Sequence, residues 1–132
     1  MKGVSRLLVV EDEPKDLKIA AEAARLAGIQ EVDARTTLTA AKDYLQKGLD
    51  GEGPLPDGIV LDLSLGYESG YELLRFWHST PQLSKIPILV WTVREDNQRE
   101  MCDLFKVTSY VSKWEGEAAF REALSKLERP QG

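Results

Sequence analysis

Short apolar runs alternate with amphipathic stretches along the chain. The runs have strand length, and the stretches carry apolar residues three or four positions apart, which is helical spacing. Leu7-Leu8-Val9-Val10 closes a first strand, Arg6 to Val10. Pro14, favoured in a first helical turn, opens a helix that runs to Gly28, a natural cap, with Leu17, Ala20, Ala21 and Ala24 on one face. Glu31 to Arg35 makes a weaker second strand. Thr36 or Thr37 caps a second helix that carries Leu38, Ala41 and Leu45 on one side and stops at Gly48. Leu49 to Pro56, rich in Gly and Pro, is a loop. A third strand, Gly58 to Leu61, is followed directly by Asp62. Ser69 and Glu72 have capping-box spacing, which predicts a helix start there. That helix buries Leu73, Leu74 and Phe76 or Trp77 and ends before Pro81. Ile86 to Trp91 reads as a fourth strand, and Asp96 as the cap of a helix bearing Met101, Leu104 and Phe105. Ser109 to Ser112 is a fifth strand, and a last helix, Glu115 to Glu128, turns Ala119, Phe120, Ala123, Leu124 and Leu127 inward.

Five strand–helix units in succession predict an α/β fold, a parallel sheet with helices on both faces. At 132 residues the chain is expected to form a single domain, 1–132, with a core of about residues 6–128. Apolar residues at 42% and charged residues at 30% exclude disorder. No apolar run approaches the roughly 18 residues needed to span a membrane. The N-terminal run is too short for a signal peptide and leads straight into acids. A lone cysteine, Cys102, excludes an internal disulfide and fits a reducing, cytoplasmic setting. The net charge of −5 argues against direct nucleic-acid binding, which needs clustered cations, and leaves a protein partner open.

The chemistry gathers at the strand ends. A carboxylate directly after a buried run, as Asp62 is, is costly unless a cation or hydrogen-bond donors meet it. Glu11-Asp12-Glu13 follows the first strand, Thr92 the fourth and Lys113 the fifth. In open parallel sheets ligands bind beyond the carboxyl ends of the strands, which is where all of these fall. Each has a plain alternative when taken alone: acids at a helix start suit the helix dipole, Asp62 suits a turn, Thr92 a strand end and Lys113 solvent. His78 has no second histidine or cysteine near it in sequence, which argues against a metal site there.

Taken in order, Val9-Val10-Glu11-Asp12-Glu13-Pro14, Leu61-Asp62-Leu63-Ser64-Leu65 with Gly70 eight residues beyond Asp62, Val90-Trp91-Thr92 and Tyr110-Val111-Ser112-Lys113 resemble the receiver domains of two-component response regulators. The resemblance covers Leu7 to about Leu127. It implies a flavodoxin-like doubly wound sheet, order 2-1-3-4-5, with five helices. It further implies that Asp62 is the phosphoacceptor, and that Mg2+ is bound by Glu11, Asp12, Asp62 and the Ser64 backbone carbonyl. Lys113 and Thr92 would contact the phosphoryl group, and Tyr110 would switch rotamer with it. The implied partners are a sensor histidine kinase or phosphotransfer protein and a downstream protein target, with a homodimer left open. Such a domain is a phosphoacceptor that assists its own phosphoryl transfer and hydrolysis rather than an enzyme. The long loop before the third strand and the residue after Lys113 give a narrower similarity, to small stand-alone regulators associated with bacterial phytochromes.

Several positions depart from that pattern. Trp114 stands where the family usually has proline after a cis peptide; a cis bond before a non-proline costs about 3 kcal/mol, so a trans Lys113–Trp114 bond is expected. Val93 follows the switch hydroxyl where a small residue is usual, and Gly66 replaces a proline after Leu65. In that family the residues two beyond the phosphoacceptor and two beyond the switch hydroxyl flank the hydrolytic water, and the resemblance puts Ser64 and Arg94 there. An alternative therefore stands beside the phosphorylated receiver: a phosphorylation-independent interaction module of the same fold. An aspartyl-nucleophile phosphohydrolase would want a second aspartate where Ser64 stands. A flavodoxin-like carrier would want a phosphate-binding loop where the acids stand.

Overall fold

The computed structural model describes residues 3–65, 68–93 and 98–130. Its centre is β1 (Arg6–Val10), which pairs in parallel with β2 (Glu31–Arg35) on one side and β3 (Gly58–Leu61) on the other. Beyond β3 lie β6 (Ile88–Thr92) and β7 (Ser109–Ser112), giving the five-stranded order β2-β1-β3-β6-β7. These are the first to fifth long strands in the expected order 2-1-3-4-5. Two short strands that the hydrophobic pattern does not announce, β4 (Ser64–Leu65) and β5 (Glu68–Ser69), pair antiparallel beside β3 and shift the numbering.

The alternation within β1 divides the core. Leu8 and Val10 join Leu38, Ala41, Leu45, Leu73, Leu74 and Cys102, contributed by α2 (Leu38–Leu49), α3 (Tyr71–Ser79) and α5 (Gln98–Leu104). Leu7 and Val9 face the other way, against Ala20, Ala23 and Ala24 of α1 (Pro14–Leu26) and Phe120 and Leu124 of α6 (Glu117–Ser125). Strands covered on both faces must be apolar on both, which is why β1 and β3 read as continuous runs. Thr37 is the cap of α2, its hydroxyl accepting the Ala40 N–H at 3.1 Å. Among the described residues no helix is long and apolar enough to cross a membrane.

Several expected details differ. Ala21 is exposed and Ala23 takes the inward position, since the face built on Ala20 and Ala24 runs through Ala23. The third helix starts at Tyr71 with Gly70 as its cap; the Ser69 hydroxyl instead accepts the Tyr71 N–H at 3.3 Å. After Ser79 the chain breaks at Thr80, as a residue before proline tends to, and makes one short helix, α4 (Pro81–Ser84). The fourth strand begins at Ile88, because Pro87 has no N–H for the ladder. In α5 the buried positions are Gln98 and Cys102, while Leu104 is 72% exposed. The expected cap Asp96 lies outside the described residues. The last helix is preceded by a separate 3-10 turn, Lys113–Glu115, and Gly116 at φ +94° joins the two.

Candidate functional site

The parallel register brings the carboxyl ends of β1, β3, β6 and β7 to one edge. Val10 is level with Leu61, and Leu61 with Val90. The next residue of β1 is Glu11, whose N–H bonds the Arg35 carbonyl; that after β3 is Asp62, whose N–H bonds the Val10 carbonyl. The ladder thus sets two carboxylates side by side. Thr92 and Ser112, paired across β6 and β7, carry the hydroxyl and the lysine to the same edge.

Asp62 is 4% exposed and fully engaged. Its Oδ1 accepts the Thr92 hydroxyl at 2.6 Å and the Ser64 N–H at 2.9 Å. Its Oδ2 accepts Lys113 Nζ at 2.9 Å. The same ammonium donates to Glu11 Oε2 and to Asp16 Oδ2, each at 2.7 Å. Glu11 Oε1 in turn accepts the N–H groups of Asp12 and Glu13. Burial therefore meets a paired ion at each carboxylate, as it must where isolated charges are costly. Asp12 is exposed, yet its carboxylate belongs with those of Glu11 and Asp62 to a cluster whose oxygens lie within 4.8 Å of one another. Hard divalent cations take all-oxygen sets of this kind.

Burial pushes the Glu11 carboxyl up to about 7, the Asp62 charge adds to that rise, and the Lys113 hydrogen bond opposes it. For Lys113, burial lowers the value, but hydrogen bonds to Asp16, Glu11 and Asp62 together hold the ammonium well above its ordinary range. A carboxyl raised on folding binds its proton more tightly in the folded chain. Its stabilising contribution is present below 4.5 and is lost as pH rises through about 7. Without metal, the stability of wild type relative to Glu11→Gln is therefore expected to fall between about pH 5 and pH 7.5. Urea midpoints in chelator at those two pH values check this; a difference that stays flat or grows contradicts it.

The lysine loop stands without its proline. No described peptide bond is cis, so Lys113–Trp114 is trans. A capping box holds the turn instead: the Ser112 hydroxyl accepts the Trp114 N–H at 3.2 Å, and Glu115 Oε2 accepts the Ser112 N–H at 2.7 Å. The Ser-x-x-Glu spacing of 112–115 is the signal for it. Glu115→Ala is expected to lower stability by about 1 kcal/mol, the ordinary worth of such a cap. A urea midpoint unchanged from wild type would refute that role.

Gly70 has a packing reason. A Cβ there would sit 2.7 Å from the Asp62 carbonyl oxygen and from Leu63 Cα, so only glycine lets the start of α3 close on the Asp62 loop. Tyr110 is half-buried, its hydroxyl donating to Gln98 Oε1 at 3.1 Å, with the Arg99 guanidinium 5.6 Å from its ring centre. Trp91 stacks on Phe120 at 4.0 Å and lies 5.1 Å beneath Lys113 Nζ. Trp114 and Val93 are 73% and 38% exposed. Gly66 and Arg94 lie outside the described residues. Asp16 is the member of the site that the strand-end pattern does not reach, because it sits in the first turn of α1.

No family model matches the chain. Over 111 residues it is 32% identical to the response regulator Rcp1 of Synechocystis, an alignment covering 81% of this chain and 75% of that protein. It is 28% identical over 101 residues to the two-component response regulator ORR1 of rice, Oryza sativa, covering 74% of this chain but spanning only 44% of the length of that relative. Among solved structures, the Mn2+-bound form of Rcp1 matches with a TM-score of 0.79 at 26% identity, over 92% of this chain and 89% of that one. The phosphorylated cyanobacterial phytochrome response regulator RcpA matches with a TM-score of 0.78, also at 26% identity, over the same shares. By sequence and by fold, the chain belongs to the response regulators and is built as their receiver domain.

Proposed function

We propose that Asp62 accepts a phosphoryl group from a sensor histidine kinase or a phosphotransfer protein, in a Mg2+-dependent reaction within the cytoplasm. Residues 1–132 would work as one receiver unit that passes the signal to a downstream protein. One observation carries this reading: a buried aspartate at the end of a central strand with a hydroxyl and an ammonium already on its two oxygens. Two relatives lend support, since one was solved with Mn2+ and the other phosphorylated.

In this reading an Asp62 carboxylate oxygen attacks phosphorus as the bond to the donor breaks. Lys113 offsets negative charge on the phosphoryl oxygens as a point charge. The Thr92 hydroxyl, now on Asp62, turns to a phosphoryl oxygen and draws its strand end with it. Glu11, Asp12 and Asp62 would hold the cation, helped by the Ser64 carbonyl, in a loop already fixed by the Ser64 N–H bond to Asp62. The oxygen-only donor set fits magnesium, which when bound would neutralise phosphoryl charge. Tyr110 would reset with Thr92, breaking its bond to Gln98 and changing the face shared by α5 and β7. An added phosphoryl group brings roughly two negative charges, enough to bias such a two-state element.

The phosphorylation-independent alternative drew on Trp114 and Val93. Lys113 reaches Asp62 with Trp114 in place, and Trp114 is largely exposed to solvent, which favours a working site. Incubation with acetyl phosphate and magnesium, followed by intact mass, tests the proposal. A single phosphoryl adduct that fails to form in chelator is expected; no adduct under any condition overturns it.

A further inference from the structure

We propose that Asp16 is a positioning residue for the phosphoryl-transfer lysine, doing part of the work that a proline after that lysine would otherwise do. The inference rests on the reading of Asp62 as the phosphoacceptor. Lys113 Nζ has three protons and three carboxylate acceptors, one just after β1, one in α1 and one just after β3. Two of them, Glu11 and Asp62, also belong to the acidic cluster within 4.8 Å, where a cation would draw on the same oxygens. Asp62 would in addition carry the phosphoryl group. Asp16 stands outside that cluster, with its side chain 18% exposed and its Oδ2 2.7 Å from the ammonium.

Asp16 is thus the acceptor left to Lys113 once metal and phosphoryl have taken the other two. Its place is firm: it lies in the first turn of α1, two residues after the fixed φ of Pro14. The ammonium is also seated over Trp91, which is buried and stacked on Phe120. The 3-10 turn that carries Lys113 is short and partly exposed, and the flexible lysine stem would wander without a second anchor. With Asp16 present, one N–H of the ammonium keeps donating to that carboxylate while the other two turn from Glu11 and Asp62 to the phosphoryl oxygens. Without it, the ammonium would be free to shift toward the remaining carboxylates and compete with the cation for them.

The test is a double-mutant cycle on loading by acetyl phosphate in magnesium, read by intact mass, with folding checked by circular dichroism. Asp16→Asn should slow loading about tenfold when Lys113 is present, the scale of one charged hydrogen bond. In a Lys113→Met background the same change should alter the rate by less than about twofold, because the residue acts through the lysine. The indole 15N–1H signal of Trp91, assigned with Trp91→Phe, should move in Asp16→Asn as the ammonium above the ring shifts. Equal slowing in both backgrounds, no slowing with Lys113 present, or an unmoved Trp91 signal overturns the inference. If Asp16→Asn does not fold, Asp16→Glu, which keeps the carboxylate, should fold and load within about threefold of wild type; loading as slow as Lys113→Met overturns it instead. A wild type that takes no adduct refutes the phosphoacceptor reading itself, whereas normal loading in Asp16→Asn refutes this inference alone.

Discussion

Replacing Asp62 by Asn is expected to abolish the phosphoryl adduct and leave the protein folded. Among the described residues, Asp62 is the carboxylate that has the Thr92 hydroxyl on one oxygen and the Lys113 ammonium on the other. An amide has no anionic oxygen with which to form an acyl phosphate. The Asn oxygen can keep the Ser64 and Thr92 bonds, but its NH2 would face Lys113 Nζ, donor against donor. Lys113 keeps Glu11 and Asp16, so the change in stability should stay within ~2 kcal/mol. Magnesium should also raise the melting temperature less in the variant, since the cluster loses one of its three carboxylate charges. Intact mass after acetyl phosphate treatment, beside a circular-dichroism melt, decides the matter. An adduct that persists in the folded variant would mean that another carboxylate is the acceptor.

The strand ends were legible because burial there is expensive. An acid, a hydroxyl or a lysine directly after an apolar run has to find a partner, and the register of a parallel sheet supplies one. That is how Glu11, Asp62, Thr92 and Lys113 come together from four separate segments. Asp16 escaped the same logic: a carboxylate in a first helical turn is already at home with the helix dipole, and nothing local says that its partner lies 97 residues away. Helix faces were legible only as far as the period was well populated. In α2 the run of Leu38, Ala41 and Leu45 left one solution, with Tyr44 completing it. In α5 the large residues Met101 and Leu104 outweighed small Cys102 as a guide, although Cys102 is the one fully buried. The β4–β5 pair and α4 are too short to carry any period. The Ser112–Glu115 box is written in its Ser-x-x-Glu spacing, but it lies where strand and helix patterns meet, so periodicity alone does not separate it from the last helix.

Removing the ammonium should do more damage to the metal-free protein than any other single change at this edge. Lys113→Met keeps most of the stem but leaves Glu11, Asp16 and Asp62 without a cation, two of them almost wholly buried. Breaking a buried ion pair from one side commonly costs 3–5 kcal/mol, because the partner charge stays behind unpaired. Two features reduce the figure here. Glu11 can take up a proton, its carboxyl being raised to about 7 already, and exposed Asp12 shows that the mouth of the site is open to water. A loss of about 3 kcal/mol at neutral pH in chelator is therefore expected. Two further signatures separate unpaired charge from simple loss of packing. The deficit should shrink as pH falls toward 5, because folded carboxyls that bind protons more tightly than unfolded ones gain stability in acid. Magnesium should recover part of it, since without the ammonium Glu11 and Asp62 are open to the ion and the variant should gain more from it than wild type does. Urea melts at two pH values, each with magnesium and with chelator, read all of this at once. A variant as stable as wild type in chelator at neutral pH, or a deficit indifferent to both pH and magnesium, would show that Lys113 does not balance the charge of this site.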